Sequence, residues 1–157
     1  MVDEKLLNKI YLKLIKNNYK VVTAESCTGG LIGHLLTNIS GISKFFERGI
    51  ISYSNNSKIE LLDVSKDLII KHGAVSKEVA LAMAEGARKK YDVDIGLSTT
   101  GILGPTGGTN KKPVGLVFLG LSIKDKSIVK KHIFKGNRIE NKKLTCEAAL
   151  NMLNKYI

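Results

Sequence analysis

Two side chains in this sequence are of types that could do chemistry together, Ser26 and Lys58. Ser26 stands in Val21-Val22-Thr23-Ala24-Glu25-Ser26-Cys27-Thr28-Gly29-Gly30, where a β-type stretch runs into a helix-type one. The first N–H groups of a helix have no partner within it, and the positive end of its dipole lies there. Gly29 and Gly30 let backbone and ligand approach closely. Such a junction suits an oxyanion or a phosphate. Serine is also a common helix cap, and that reading stays open beside the chemical one.

Lys58 follows Tyr53-Ser54-Asn55-Asn56-Ser57, in the first turn of a short predicted helix, where the dipole disfavours its charge. An ordinary lysine is neutral in only ~1 of 2,500 molecules at pH 7. Lowering its pKa by about three units takes roughly 4 kcal/mol, which burial and nearby positive charge would supply together. A neutral Lys58 would then accept the Ser26 proton. The plain alternative is a lysine on a surface loop. Thr100 closes the hydroxyl run Ser98-Thr99-Thr100. The loop after it, residues 101–113, carries four glycines and both prolines. It has neither a Walker Gly-Lys-Ser/Thr nor a dinucleotide fingerprint. Its glycines fit a backbone that cradles phosphate or ribose, or simply a flexible turn.

The elements that must position these groups follow from periodicity. Residues 3–17 read as an amphipathic helix with Leu6, Leu7, Ile10, Tyr11, Leu14 and Ile15 on one stripe. Strands are expected at 20–24, 48–54 and 93–100, and a hairpin at 114–123 and 128–134 over a turn at 124–127. Helices are expected at 28–38, 55–62, 65–72 (closed by Gly73), 76–91 and about 141–156, the last with Leu144, Ala148, Ala149, Met152 and Leu153 inward. The alternation predicts a three-layer α/β/α sandwich around a five-stranded mixed sheet. In such sheets ligands bind at the carboxyl ends of parallel strands. If the first three strands are parallel, the loops at 25–30, 53–58 and 100–108 meet at one cleft.

The chain has 157 residues, enough for one domain with an ordinary core. No apolar run approaches the ~20 residues of a membrane span, and Met1-Val2-Asp3-Glu4-Lys5 lacks a signal-peptide core, so the cytoplasm is the expected compartment. Cys27 and Cys146 are too few for a disulfide framework, and His34, His72 and His132 show no metal-ligand spacing. The net charge is +11. Residues 124–143 hold eight Lys/Arg against two carboxylates, a net of +6. That stretch would suit an anionic ligand, or be a solvated face; with Phe134 its one aromatic, it offers nucleic acid no stacking platform.

Five motifs in order span nearly the whole chain: Ala24 to Gly30; Tyr53-Ser54-Asn55 with Lys58; His72-Gly73-Ala74-Val75-Ser76; Thr100-Gly101-Ile102 with Gly104-Pro105 and Gly107-Gly108; and Lys112-Pro113-Val114-Gly115. Together they resemble the CinA C-terminal domain family, whose enzymatically active members are nicotinamide mononucleotide deamidases. The resemblance covers residues 1–157 as one stand-alone domain, without the competence-associated domain of longer relatives. It implies hydrolysis of the carboxamide of nicotinamide mononucleotide to nicotinate mononucleotide and ammonia, by a serine–lysine mechanism with no cofactor or metal, often in a homodimer. It implies Ser26 as nucleophile, Lys58 as general base and Tyr53 as an aid to proton relay or substrate positioning. Substrate contacts carried over by position are Glu25, Thr28, Gly29, Gly30 and Asn55 on the first two segments, and Thr100, Gly101, Gly104, Gly107 and Gly108 on the third. Arg138 would contact phosphate.

The sequence departs from the family pattern at Leu103 (usually alanine), at Thr106 (usually small or acidic) and in Gly136-Asn137-Arg138-Ile139, where Gly-Asp-Arg-Glu is common. Lys142 replaces a later arginine, keeping the charge and losing the bidentate fork. Two rival functions remain, a non-catalytic nucleotide-binding module and a nucleic-acid binder working through residues 124–143. A third possibility keeps the enzyme and makes Cys27 the nucleophile.

Overall fold

A computed structural model describes residues 3–124 and 126–157. Its five strands are β1 (Val21–Glu25), β2 (Phe46–Ile51), β3 (Ile95–Gly101), β4 (Leu116–Ile123) and β5 (Lys126–Ile133), in the order β2-β1-β3-β4-β5. β1 pairs in parallel with β2 and β3, and β4 runs antiparallel to β3 and β5. The expected mixed sheet is therefore present. The turn expected between β4 and β5 passes through Asp125, outside the described residues.

Helices α1 (Glu4–Asn17), α2 (Leu31–Thr37) and α6 (Arg138–Tyr156) enclose one apolar core with the sheet, built on Ile10, Leu14, Ile32, Leu97, Leu119 and Leu150. Helices α3 (Asn55–Leu62), α4 (Lys66–His72) and α5 (Lys77–Lys90) enclose a second, built on Val22, Ile50, Leu62, Val79 and Met83. The three layers follow from sequence patterning: β1 and β3 are buried on both faces, and α5 buries Val79, Ala80, Met83, Ala84 and Ala87 as its periodicity requires.

Several boundaries move, each for a capping reason. β2 ends at Ile51 because Ser54 is needed as the N-cap of α3, where it forms a capping box with Ser57. α2 begins at Leu31 because Gly30, at φ +95°, turns the chain into it. α6 begins at Arg138, not Asn141: Asn137 accepts from the N–H groups of Ile139 and Glu140 while the Glu140 carboxylate accepts from the Asn137 N–H. Leu144 faces out at 40% exposure, and Cys146 and Leu150 take the inward positions beside Ala149 and Leu153. On α1, Ile15 is likewise outside, with Leu7, Ile10 and Leu14 buried.

Among the described residues β5 pairs only with β4, which leaves its other edge without a strand. Lys126, Lys130 and Lys131 stand exposed along it, a charge pattern that discourages pairing with a foreign strand. Part of the basic excess thus has a structural role.

The second core depends on a close crossing of α5 over the end of α3. A Cβ on Gly86 would fall 1.8 Å from the Leu62 carbonyl oxygen. Gly86→Ala is expected to destabilise the protein by about 2–3 kcal/mol through forced separation of the helices. A urea midpoint equal to the parent's would refute that crossing.

Candidate active site

β1, β2 and β3 deliver their carboxyl ends to one edge of the sheet, and the residues that follow them line a cavity of about 270 Å³. Ser26, Cys27, Tyr53, Lys58, Thr100, Gly101, Gly104 and Arg138 contribute to its wall. So do Ile102, Leu103 and Thr106 of the loop at 100–108, and Ala74 and Val75, which were not among the expected site residues. Ala74 and Val75 arrive because the Thr100 hydroxyl donates to the Ala74 carbonyl at 2.8 Å, drawing the loop before α5 against the end of β3. The His72–Ser76 motif was visible in the sequence, but nothing local marked it as cavity wall.

Ser26 follows β1 directly, and its N–H continues the β3 pairing by donating to the Thr99 carbonyl at 3.0 Å. Lys58 is the fourth residue of α3. Its side chain folds back toward the helix start, as helical side chains do, and is only 1% exposed. Its Nζ donates to Ser26 Oγ at 3.0 Å and to the Ser52 carbonyl at 2.8 Å, with the Tyr53 and Ser54 carbonyls each at 3.4 Å. Burial pushes the amine down to about 8, and the positive neighbours expected from the sequence play no part. About one molecule in ten then carries a neutral Lys58 at pH 7. Ser26 and Lys58 are the pair a serine hydrolase requires, a hydroxyl and a base in hydrogen-bond contact.

Cys27 adjoins them, but its thiol is buried and pushed up to about 12 by that burial. Thiolate is thus very scarce at neutral pH, which argues against a cysteine nucleophile.

The Glu25 carboxylate is turned away from the cavity. It accepts from the N–H groups of Gly30 at 3.0 Å, Ile32 at 3.1 Å and Gly33 at 2.8 Å. This corrects two expectations. Glu25 serves as the cap of α2 and not as a substrate contact. The positive end of α2 and the Gly30 N–H are engaged by that carboxylate and are not free for an oxyanion. The N–H groups of Cys27, Thr28 and Gly29 are those of the turn that Glu25 does not engage. Thr28 itself is buried, its hydroxyl 2.8 Å from that of Thr99. Thr28, Gly29, Gly30, Asn55, Gly107 and Gly108 all lie outside the cavity lining. Lys142 reaches the turn rather than the cavity: a Cβ on Gly29 would lie 3.9 Å from its Nζ.

At the cavity mouth, Arg138 donates from one terminal nitrogen to the Gly104 carbonyl at 2.8 Å and from the other to the Tyr53 hydroxyl at 3.0 Å. The Tyr53 phenol thus meets Arg138, while only its main-chain carbonyl meets Lys58. The signal that places Arg138 on a helix start was present as the Asn137–Glu140 capping box. Leu103, a departure from the family pattern, is buried in the first apolar core, and its carbonyl accepts from Asn141 Nδ2 at 3.0 Å. Among the described residues no three His, Cys, Asp or Glu side chains are grouped to hold a metal ion, and no helix is long and apolar enough to cross a membrane.

The family model of the CinA C-terminal domain matches residues 3–157. A protein of Clostridium tetani named as competence-damage inducible is 53% identical over 144 residues, 92% of this chain and 35% of its own length. One of Acetivibrio thermocellus with the same name is 48% identical over 155 residues, 99% of this chain and 38% of its own. The chain thus spans little more than a third of the curated relatives it matches. The crystal structure of the competence/damage inducible protein CihA from Agrobacterium tumefaciens superposes with a TM-score of 0.93 at 36% identity, covering 98% of this chain and 96% of that one. That of a CinA superfamily protein from Escherichia coli gives 0.93 at 31% identity, covering 97% and 88%.

The buried amine makes stability depend on pH in a set direction. Between about 8 and 10.5 the unfolded chain holds a Lys58 proton that the folded chain has lost, so stability rises with pH across that window. The gain totals about 3 kcal/mol. Lys58→Met cannot titrate. Its Tm relative to the parent is expected to fall steadily from pH 7 to pH 10, and a constant difference would contradict the depressed pKa.

Proposed function

This chain belongs to the CinA C-terminal domain family, and from that premise we propose that it is a serine amidohydrolase acting on nicotinamide mononucleotide. The reaction converts the carboxamide to a carboxylate and releases ammonia, a step of pyridine-nucleotide recycling. The observation that carries this reading is the 3.0 Å contact between Ser26 Oγ and a fully buried Lys58 amine held near 8.

In this mechanism neutral Lys58 takes the Ser26 proton as the oxygen attacks the carboxamide carbon. The negative charge that develops on the amide oxygen is received by the main-chain N–H of Cys27, the residue of that turn that lines the cavity beside Ser26. Collapse of the tetrahedral intermediate breaks the C–N bond, and the Lys58 ammonium returns its proton to the departing nitrogen. Water, deprotonated in turn by Lys58, then cleaves the ester on Ser26. The Ser52, Tyr53 and Ser54 carbonyls hold the amine in place through both halves. Arg138 at the mouth meets the substrate phosphate, and the positive surface raises local substrate concentration. A homodimer in the cytoplasm, with residues 1–157 as one domain, belongs to the same proposal.

Ammonia release from nicotinamide mononucleotide, measured beside nicotinamide riboside, is the direct test. Turnover is expected with the mononucleotide and at least about tenfold lower kcat/KM with the riboside. Ser26→Ala and Lys58→Ala are each expected to lower turnover at least about a thousandfold while remaining folded. Full activity in either removes the mechanism, and nucleotide binding with no turnover in the parent leaves a binding module. The kcat/KM of the parent is expected to rise with pH and level off above an apparent pKa of about 8, since only neutral Lys58 acts as base. A flat profile from pH 6 to 9 would exclude Lys58 from that role.

A further inference from the structure

We propose that Tyr53 sets specificity for a phosphate monoester by orienting Arg138 across the cavity mouth, and does not relay protons at the acyl centre. This rests on the amidohydrolase reading for the identity of the substrate, while the grip itself rests on geometry.

The Lys58 amine touches Ser26 directly, so proton transfer needs no intermediary. The acceptors around that amine are Ser26 Oγ and three main-chain carbonyls, with no phenol among them. Tyr53 is 61% exposed, so it adds little to the core, and its hydroxyl accepts from Arg138 at 3.0 Å. The other terminal nitrogen of Arg138 is fixed at 2.8 Å on the carbonyl of Gly104. That carbonyl is itself held in place, because Gly104 adopts φ +87° and packs so tightly that an added Cβ would lie 2.5 Å from Val114 Cγ1. The guanidinium is therefore held between a rigid loop and a phenol, each on a different wall of the same cavity.

What remains is a set of donors. A guanidinium has five N–H groups, and among the described residues two of those of Arg138 are engaged, which leaves three to meet a ligand. A phenol oxygen that accepts from arginine keeps its own O–H to donate. No carboxylate lies within salt-bridge distance of Arg138 among the described residues. An unneutralised cation with several donors fixed at a cavity mouth matches the charge and the oxygens of a phosphate monoester. Releasing the guanidinium from the phenol would keep the charge and lose the orientation.

The test separates this grip from the chemistry. On a Ser26→Ala background, where turnover is blocked, Tyr53→Phe is titrated calorimetrically with nicotinamide mononucleotide and nicotinamide riboside, and with ribose 5-phosphate beside ribose. The expected result is about tenfold weaker binding of both phosphorylated ligands and less than about twofold change for the others. Tyr53→Phe added to Arg138→Ala is expected to weaken binding no further than Arg138→Ala alone, the signature of two residues acting through one contact. With Ser26 restored, Tyr53→Phe is expected to raise KM for the mononucleotide about tenfold and to lower kcat less than about threefold. Equal weakening of phosphorylated and unphosphorylated ligands overturns the proposal. So do additive losses with Arg138→Ala, no phosphate preference in the parent, or a kcat loss above about thirtyfold. If ribose 5-phosphate behaves as expected while no nicotinamide compound is turned over, the grip stands and the amidohydrolase reading falls.

Discussion

A charged-capable amine enclosed by the fold and touching a hydroxyl is the contact on which the rest of this molecule turns. Two effects act on Lys58 in opposite directions. Loss of water drives it toward the neutral form, and a fully buried lysine without partners reaches a pKa near 5–6. The carbonyls of Ser52, Tyr53 and Ser54 favour the ammonium by accepting its protons. The balance near 8 would suit the proposed role, in which the amine takes a proton from Ser26 and hands one back. A more strongly depressed lysine would be a poorer acid, and an exposed one would almost never be a base.

That balance holds only because the frame around it is rigid. β1 is the central parallel strand between β2 and β3, so its register sets the height of Ser26 relative to the chain leaving β2. The capping box at Ser54 and Ser57 fixes where α3 starts, and thus where Lys58 projects. Glu25 anchors the turn after β1 from behind through three N–H groups. A buried carboxylate so close to the cavity is tolerable because those donors absorb its charge. The same allocation explains why the glycines after Ser26 shape the turn without lining the cavity: Gly29 and Gly30 supply left-handed backbone at φ +61° and +95°.

The basic excess divides between roles. Exposed lysines of β5 guard an open sheet edge, while Arg138 stands where α6 begins, at the cavity mouth. A +6 segment in the sequence mixes the two, because net charge carries no information about which side of the molecule a residue occupies.

Much of this was legible in the residues. Periodicity determines the elements and the core of α5, Gly/Ser punctuation marks the loops, and a serine and a lysine after successive strands, the lysine a helix turn further on, are the two side chains that meet. Local signals reach less far at the α6 start, where the Asn137–Glu140 box outweighs the hydrophobic pattern that suggests Asn141. They do not show that the Glu25 carboxylate turns onto the N–H groups of Gly30, Ile32 and Gly33, nor that the Tyr53 hydroxyl meets Arg138 from the far end of the chain. A carboxylate beside a serine reads as chemistry until folding shows three amides around it. A tyrosine near such a lysine reads as a relay or as a group that positions substrate, and folding sets its hydroxyl on a guanidinium from the last helix. Residue type and spacing determine what a segment is able to do. Which partner it meets, and how much water it keeps, is decided only when strands and helices far apart in sequence close on one another, because electrostatics and hydrogen bonding depend on distance in space.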